Sequence, residues 1–218
     1  MSLRLHRQGR FRRWLGARLG GDEALGDRAW RRIIHALGAA ALVYEVVPNR
    51  FFVIAPKEAV LLAVLAAVLV LEALRHLVGL ELPTLRDYER RRIGSYVFYS
   101  VALVAALLLF PLPIAAAVIL GTAWVDPLAG ELRRPGRPRG LYPAVPAAVY
   151  YGLAVVGMAL LGHWPIVAAA ALALLATPIA IAAERARWGR WIDDDLAMTL
   201  APAVALYAVG VVALGLPR

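Results

Sequence analysis

Three acidic positions stand beside arginines at the ends of long apolar stretches: Asp126, Glu184 and the run Asp193-Asp194-Asp195. Carboxylates and guanidiniums held at a bilayer surface can grip Mg²⁺ and phosphate next to a lipid, because Mg²⁺ prefers carboxylate and phosphate oxygens and guanidinium forks match phosphate. Asp126 opens Asp126-Pro127-Leu128-Ala129-Gly130-Glu131, in which the small Ala129 and Gly130 would let a nucleotide or metal come close to the backbone. Arg133 and Arg134 follow at once. Three adjacent acids repel one another and a helix cap needs only one, so a divalent cation would relieve the run at Asp193–Asp195. On a helix, His35 lies one turn beyond Arg31 and Arg32, placed to help them bind phosphate as a donor or proton carrier.

Each constellation also has a purely structural reading. Asp126 can cap a helix that has Pro127 at its first position. The aspartate run suits a helix N-terminus favoured by the macrodipole. Arg31 and Arg32 can snorkel at the membrane boundary while His35 packs between helices. A fourth group, Asp87-Tyr88-Glu89-Arg90-Arg91-Arg92, reads as a stop-transfer and topology signal, and Glu45, His76 and His163 are assigned no chemical role.

These groups must be positioned by membrane-length elements. The 218 residues are 61% hydrophobic with a mean hydropathy of +0.68, values that soluble domains rarely combine. Apolar runs recur at Ile33–Val47, Ala59–Leu74, Tyr96–Phe110, Leu112–Val125, Val145–Leu161, Ile166–Ala183 and Leu196–Leu216. Backbone groups in lipid must pair internally, and Ala/Leu-rich runs without alternation do so as helices. The expected fold is all-α: a polytopic transmembrane bundle of about seven helices over 31–218, forming one catalytic domain. The interior of most spans reads as wholly apolar. Leu112–Val125 is the weak member, rising only about 21 Å, and is expected to be tilted or re-entrant.

Residues 1–30 form a basic amphipathic segment, with Phe11, Trp14, Leu15 and Leu19 at helical spacing among arginines, suited to anionic lipid. The long charged start and the lack of a cleavage site argue against a signal peptide. Of the 24 Lys and Arg residues, 21 fall in segments 1–32, 75–94, 126–142 and 184–195. That asymmetry predicts a cytoplasmic N-terminus and a cytoplasmic site, in a bacterial or archaeal cell membrane. The net charge of +9 is explained by this topology, so no nucleic-acid partner is expected. No cysteine is present, which excludes disulfides and thiol catalysis.

In order and spacing the motifs resemble those of the dolichol kinase and phytol kinase family of CTP-dependent lipid kinases, which is related to phosphatidate cytidylyltransferases. Arg31-Arg32-Ile33-Ile34-His35 is similar to that family's opening Arg-(Arg/Lys)-x-x-His helix. Asp126-Pro127-Leu128-Ala129 and residues 130–140 resemble its Asp-Gly-x-Ala stretch and Gly/Arg-rich loop. Glu184, Asp194-Asp195-Leu196 and Pro202 resemble its C-terminal Glu, Asp-Asn-Leu and Pro. The chain departs at Pro127 for Gly, Asp195 for Asn and Ser95 for Glu.

The resemblance implies transfer of a phosphoryl group from CTP to a polyprenol or similar lipid alcohol. Asp126, Asp194 and Asp195 would hold Mg²⁺. Glu184 or Asp193 would accept the alcohol proton, with Asp194 and His35 also in the catalytic set. Arg31, Arg32, Arg133 and Arg134, with Asp126, Ala129 and Gly130, would bind nucleotide and phosphate. Membrane lipids surround the chain, and a homo-oligomer stays open. Two alternatives remain at this stage: a CTP-dependent cytidylyltransferase acting on a phospholipid, and a non-enzymatic transporter or scaffold whose charges only cap helices and set topology.

Overall fold

A computed structural model describes residues 32–49, 55–79, 92–136, 138, 140–186 and 192–217. The expected amphipathic segment 1–30, Arg31 and most of the charged turn before Gly94 lie outside the described residues. Those described form seven helical segments and no strand. Helix α1 covers 32–46 and tightens to a 3₁₀ stretch over Gly38–Leu42. It is followed by α2 (Lys57–Val78), α3 (Ser95–Leu109), α4 (Leu112–Leu132), α5 (Ala144–Leu161), α6 (Ile166–Arg185) and α7 (Asp194–Ala213). Five of them, α2 and α4 to α7, are long and apolar enough to cross a membrane. At 15 residues α3 is shorter, and α1 is interrupted.

Helix α4 is the centre. It packs against α1, α3, α5 and α7, and 67% of its span is buried against 11% for α2. Small residues make this possible: Ala115, Ala116 and Ala117 are fully buried. A side chain at Gly157 of α5 would place Cβ 2.6 Å from the backbone nitrogen of Ala117. Small residues at such a contact let backbones approach closely, which is how helices gain packing energy in lipid. By contrast α2 packs chiefly on α3 and leaves Leu62, Val64, Leu69, Val70, Leu77 and Val78 exposed.

The weak span of the sequence is corrected here. Helix α4 runs 21 residues, a rise of about 31 Å, so it is not short and is long enough to cross a membrane. Pro127 sits inside it rather than at its start, which removes the reading of Asp126 as a cap. Proline withdraws the hydrogen bond that the Ala123 carbonyl would accept, but within a bundle neighbouring groups tolerate such a break.

The spans are also less uniformly apolar than expected, since Glu72, Arg75, Thr122, Thr177 and Thr199 are all buried. Glu72 and Arg75 join α2 to the start of α3. The Arg75 guanidinium donates to both Glu72 oxygens at 2.6 and 2.7 Å. Glu72 also accepts from the Gly94 amide (2.9 Å) and the Tyr96 hydroxyl (2.6 Å). This fixes the N-terminus of α3, and with it Ser95.

Candidate active site

The helix ends that carry charge surround a cavity of about 240 Å³ lined by Arg32, His35, Ser95, Asp126, Pro127, Gly130, Arg133, Arg134, Asp194 and Asp195. Four helices and one loop contribute: α1, the first residue of α3, the last turns of α4 with the loop after it, and the first turn of α7. Eight of the residues singled out in the sequence therefore share one site, although up to 163 positions separate them.

At its floor, His35 lies between two carboxylates. Its Nδ1 is 3.9 Å from Asp126 Oδ2 and its Nε2 is 3.7 Å from Asp195 Oδ2. One ligand atom from each of the three residues falls within 4.8 Å of the others. The imidazole is placed from behind by Tyr99, whose ring lies 4.6 Å away and whose hydroxyl donates to the His35 carbonyl at 2.9 Å. Gly38 makes room for that hydroxyl, since a Cβ there would lie 1.8 Å from it.

The three adjacent aspartates divide their work. Asp193 is the N-cap of α7, its carboxylate accepting from the Asp195 amide at 3.2 Å, as short acidic side chains do at helix starts. Asp194 lines the cavity, and the Asp195 side chain is 4% exposed. All three thus sit at the helix N-terminus as the structural reading has it, Asp193 as cap and Asp194 and Asp195 in the first turn, and the last two also line the cavity.

The guanidiniums form the rim. Arg32 and Arg134 both donate to Glu131, the latter at 3.3 Å. Arg133 reaches back to Glu184 at 2.5 Å, where the glutamate side chain is fully buried. Glu184 also accepts from the Tyr142 hydroxyl at 2.6 Å. Burial, then this hydrogen bond, pushes the Tyr142 phenol up to about 12, so it remains a donor at neutral pH. With Arg133 and Tyr142 on its two oxygens, Glu184 anchors the loop behind the cavity and is not part of its lining. Ala129 is fully buried in the core while its neighbour Gly130 opens on the cavity. Successive helix residues point about 100° apart, which turns Ala129 into the core and Gly130 to the cavity.

The sequence reading passed over Ser95 as a site residue, and also Tyr99, Glu131, Thr122 and Thr199. Glu131 carried a usable signal in its spacing before Arg134. Two fully buried threonines join α4 to α7 through a 2.9 Å hydrogen bond, and Thr199 also donates to the Asp195 carbonyl at 2.8 Å. Their signal was spacing: Thr122 precedes Asp126 by four residues and Thr199 follows Asp195 by four, so each pair shares a helix face.

Chemically, the donor set fits a hard divalent cation. Two carboxylates from different helices converge, and close like charges are costly unless a cation joins them. Imidazole is a poor ligand for Mg²⁺ by comparison with oxygen, which leaves His35 for hydrogen bonding or proton transfer. The N-termini of α3 and α7 both reach the cavity, and helix N-termini favour phosphate. Comparison with protein-family models, with curated proteins and with solved structures finds no match to this chain.

Proposed function

We propose that this chain is a membrane-embedded phosphotransferase that moves the γ-phosphoryl group of a nucleoside triphosphate onto the hydroxyl of a lipid alcohol. The observation that carries the reading is the meeting of Asp126, Asp195 and His35 within 4.8 Å in a cavity rimmed by Arg32, Arg133 and Arg134. Phosphoryl transfer needs chiefly positioning and charge neutralisation, and this set supplies both. The motif order around Arg32, His35, Asp126, Glu184 and Asp195 supports CTP as donor and a polyprenol-like acceptor, by its resemblance to the dolichol and phytol kinases. The positive-inside asymmetry supports a cytoplasmic cavity.

In this reading Asp126 and Asp195, with Asp194 beside them, would hold Mg²⁺, which would supply charge neutralisation at the phosphates. Arg32 and Arg134, steadied by Glu131, and Arg133, steadied by Glu184, bind the phosphate oxygens. Ser95 and Gly130 border the space the γ-phosphate occupies. The lipid hydroxyl oxygen bonds to the γ-phosphorus as the bond to the β,γ-bridging oxygen breaks, and the nucleoside diphosphate leaves. His35 takes the hydroxyl proton, because its imidazole faces the cavity whereas Glu184 is occupied and Asp193 caps α7. The gathering of charge at the helix ends, rather than at the midplane where transporters bind, favours an enzyme over a carrier.

The test is full-length protein in lipid nanodiscs with γ-labelled CTP, Mg²⁺ and a panel of polyprenol, phytol and other lipid alcohols. Label in a lipid monophosphate is the expected result. Pyrophosphate released from α-labelled CTP, with label retained on a phospholipid, would replace the kinase reading by a cytidylyltransferase. Bound nucleotide with no lipid labelled in either format would refute both.

A further inference from the structure

Two hydroxyl groups in the interior of the bundle have no part in the chemistry above, yet they lie directly beneath it. Thr122 and Thr199 are fully buried, 2.9 Å apart, and belong to α4 and α7. A threonine hydroxyl has one proton. That of Thr199 goes to the Asp195 carbonyl, so the proton between the two threonines comes from Thr122. The result is a directed chain from Thr122 to Thr199 to the backbone of Asp195.

The helices run antiparallel here. Asp126 is four residues towards the charged end from Thr122, and Asp195 is four residues towards that end from Thr199. The threonine pair and the carboxylate pair are therefore two successive rungs between the same helices, about 6 Å apart along the axis. Sliding or rotating either helix would break the lower rung and separate the carboxylates of the upper one. Apolar contacts among alanines tolerate such slips, because one small residue replaces another at nearly equal energy. A hydrogen bond between buried hydroxyls does not, since a slip takes the acceptor away from the Thr122 proton while Thr199 keeps its bond to the Asp195 carbonyl.

We propose that the Thr122–Thr199 hydrogen bond is a register pin that sets the separation of Asp126 and Asp195, and thereby the affinity of the site for a divalent cation. The proposal rests on the reading of those two aspartates as cation ligands. Thr122 and Thr199 are positioning residues, acting through the aspartates without touching the ion.

Mn²⁺ serves as the probe, since its binding is read directly from loss of the free-ion spin-resonance signal, without turnover. Full-length protein in nanodiscs is titrated as wild type, Thr122→Val, Thr199→Val and Thr122→Ser. Valine matches threonine in shape and removes the hydroxyl. Thr122→Val leaves the Thr199–Asp195 hydrogen bond in place, which makes it the decisive variant and less disruptive than Thr199→Val. It is expected to weaken Mn²⁺ binding about tenfold, as loss of outer-shell partners does, while the thermal midpoint falls by no more than about 3 °C. Thr199→Val is expected to weaken it further. Thr122→Ser restores the hydroxyl and should bind within about twofold of wild type.

Wild-type affinity in Thr122→Val overturns the proposal and leaves the cation site standing. Weakened binding that Thr122→Ser fails to restore also overturns it, because shape rather than the hydrogen bond would then be responsible. Wild-type protein that binds no Mn²⁺, or whose binding survives Asp126→Asn and Asp195→Asn, would remove the cation reading and this proposal with it.

Discussion

Replacing Glu72 by glutamine should destabilise the protein severely, although the change is one atom and lies outside the cavity. Glu72 and Arg75 are 6% and 4% exposed. The carboxylate receives two guanidinium donors, the Gly94 amide and the Tyr96 hydroxyl. Glutamine keeps one acceptor oxygen and turns an NH₂ group towards donors that need acceptors, leaving a buried guanidinium without its counter-charge. Breaking a buried pair from one side costs about 3–5 kcal/mol. The Arg92 carbonyl, which also accepts from Arg75 at 2.5 Å, holds the expected loss near the lower figure, about 3 kcal/mol. For a chain of this size that is a fall in thermal midpoint of about 6–12 °C. Tryptophan fluorescence during heating in detergent micelles measures it.

Removing both partners as Glu72→Leu/Arg75→Leu should recover part of the loss, about 1 kcal/mol. The charges vanish together, the Gly94 and Tyr96 donors each lose an acceptor at about 1 kcal/mol, and the Arg92 carbonyl, on an exposed residue, loses its Arg75 donor. A midpoint for Glu72→Gln within about 2 °C of wild type would refute this reasoning. So would a double variant less stable than the single one.

Four further outcomes follow from the site. Asp126→Asn and Asp195→Asn should each lower phosphoryl transfer from CTP by about 100-fold or more, read by label incorporation into lipid. Glu184→Gln should raise KM for the nucleotide about tenfold by freeing Arg133, with kcat little changed; a collapse of kcat at constant KM would instead make Glu184 the base. Gly38→Ala drives a methyl into the Tyr99 hydroxyl and should cost about 1–3 kcal/mol, part of which Tyr99→Phe in the same chain returns. The Tyr142 phenol lies above its ordinary value, at about 12. Its contribution to stability is thus complete below pH 10 and is lost as pH climbs towards 12. The gap in thermal midpoint between wild type and Tyr142→Phe should accordingly be flat from pH 7 to 10 and close above it.

The helices were legible in the sequence because apolar runs in lipid have one way to satisfy their backbones. Ile166–Ala183 in the sequence and Ile166–Arg185 in the structure differ by two residues at one end. The boundary at Val125 was misread because aspartate and proline end helices in water, whereas inside a packed bundle α4 continues through both. The charged cluster stood out because carboxylates are conspicuous in an alanine-rich background, and charge asymmetry placed Asp126 and Asp195 on one side. That they meet is a tertiary fact no periodicity encodes. Glu72 and Arg75 were lost in the tail of an apolar run, since a three-residue spacing between opposite charges looks the same whether it faces headgroups or another helix. Thr122 and Thr199 were lost for a different reason: threonine is ordinary filler in such sequences until the partner across the interface is known.

The position of α4 bears on how the protein is made. It is the least apolar of the five long helices and the most enclosed, so much of its surface meets protein and little meets lipid. Such a segment gains less from entering the bilayer alone than α2 or α6, and it settles fully only when α5 and α7 have arrived to clothe it. Because Asp126 waits in α4 for Asp195 in α7, a chain still emerging from the ribosome carries every arginine of the rim before it owns both acids of the floor. Assembly of the cavity is therefore among the last events of biogenesis, because no nascent chain short of α7 can bring Asp195 to Asp126 and His35.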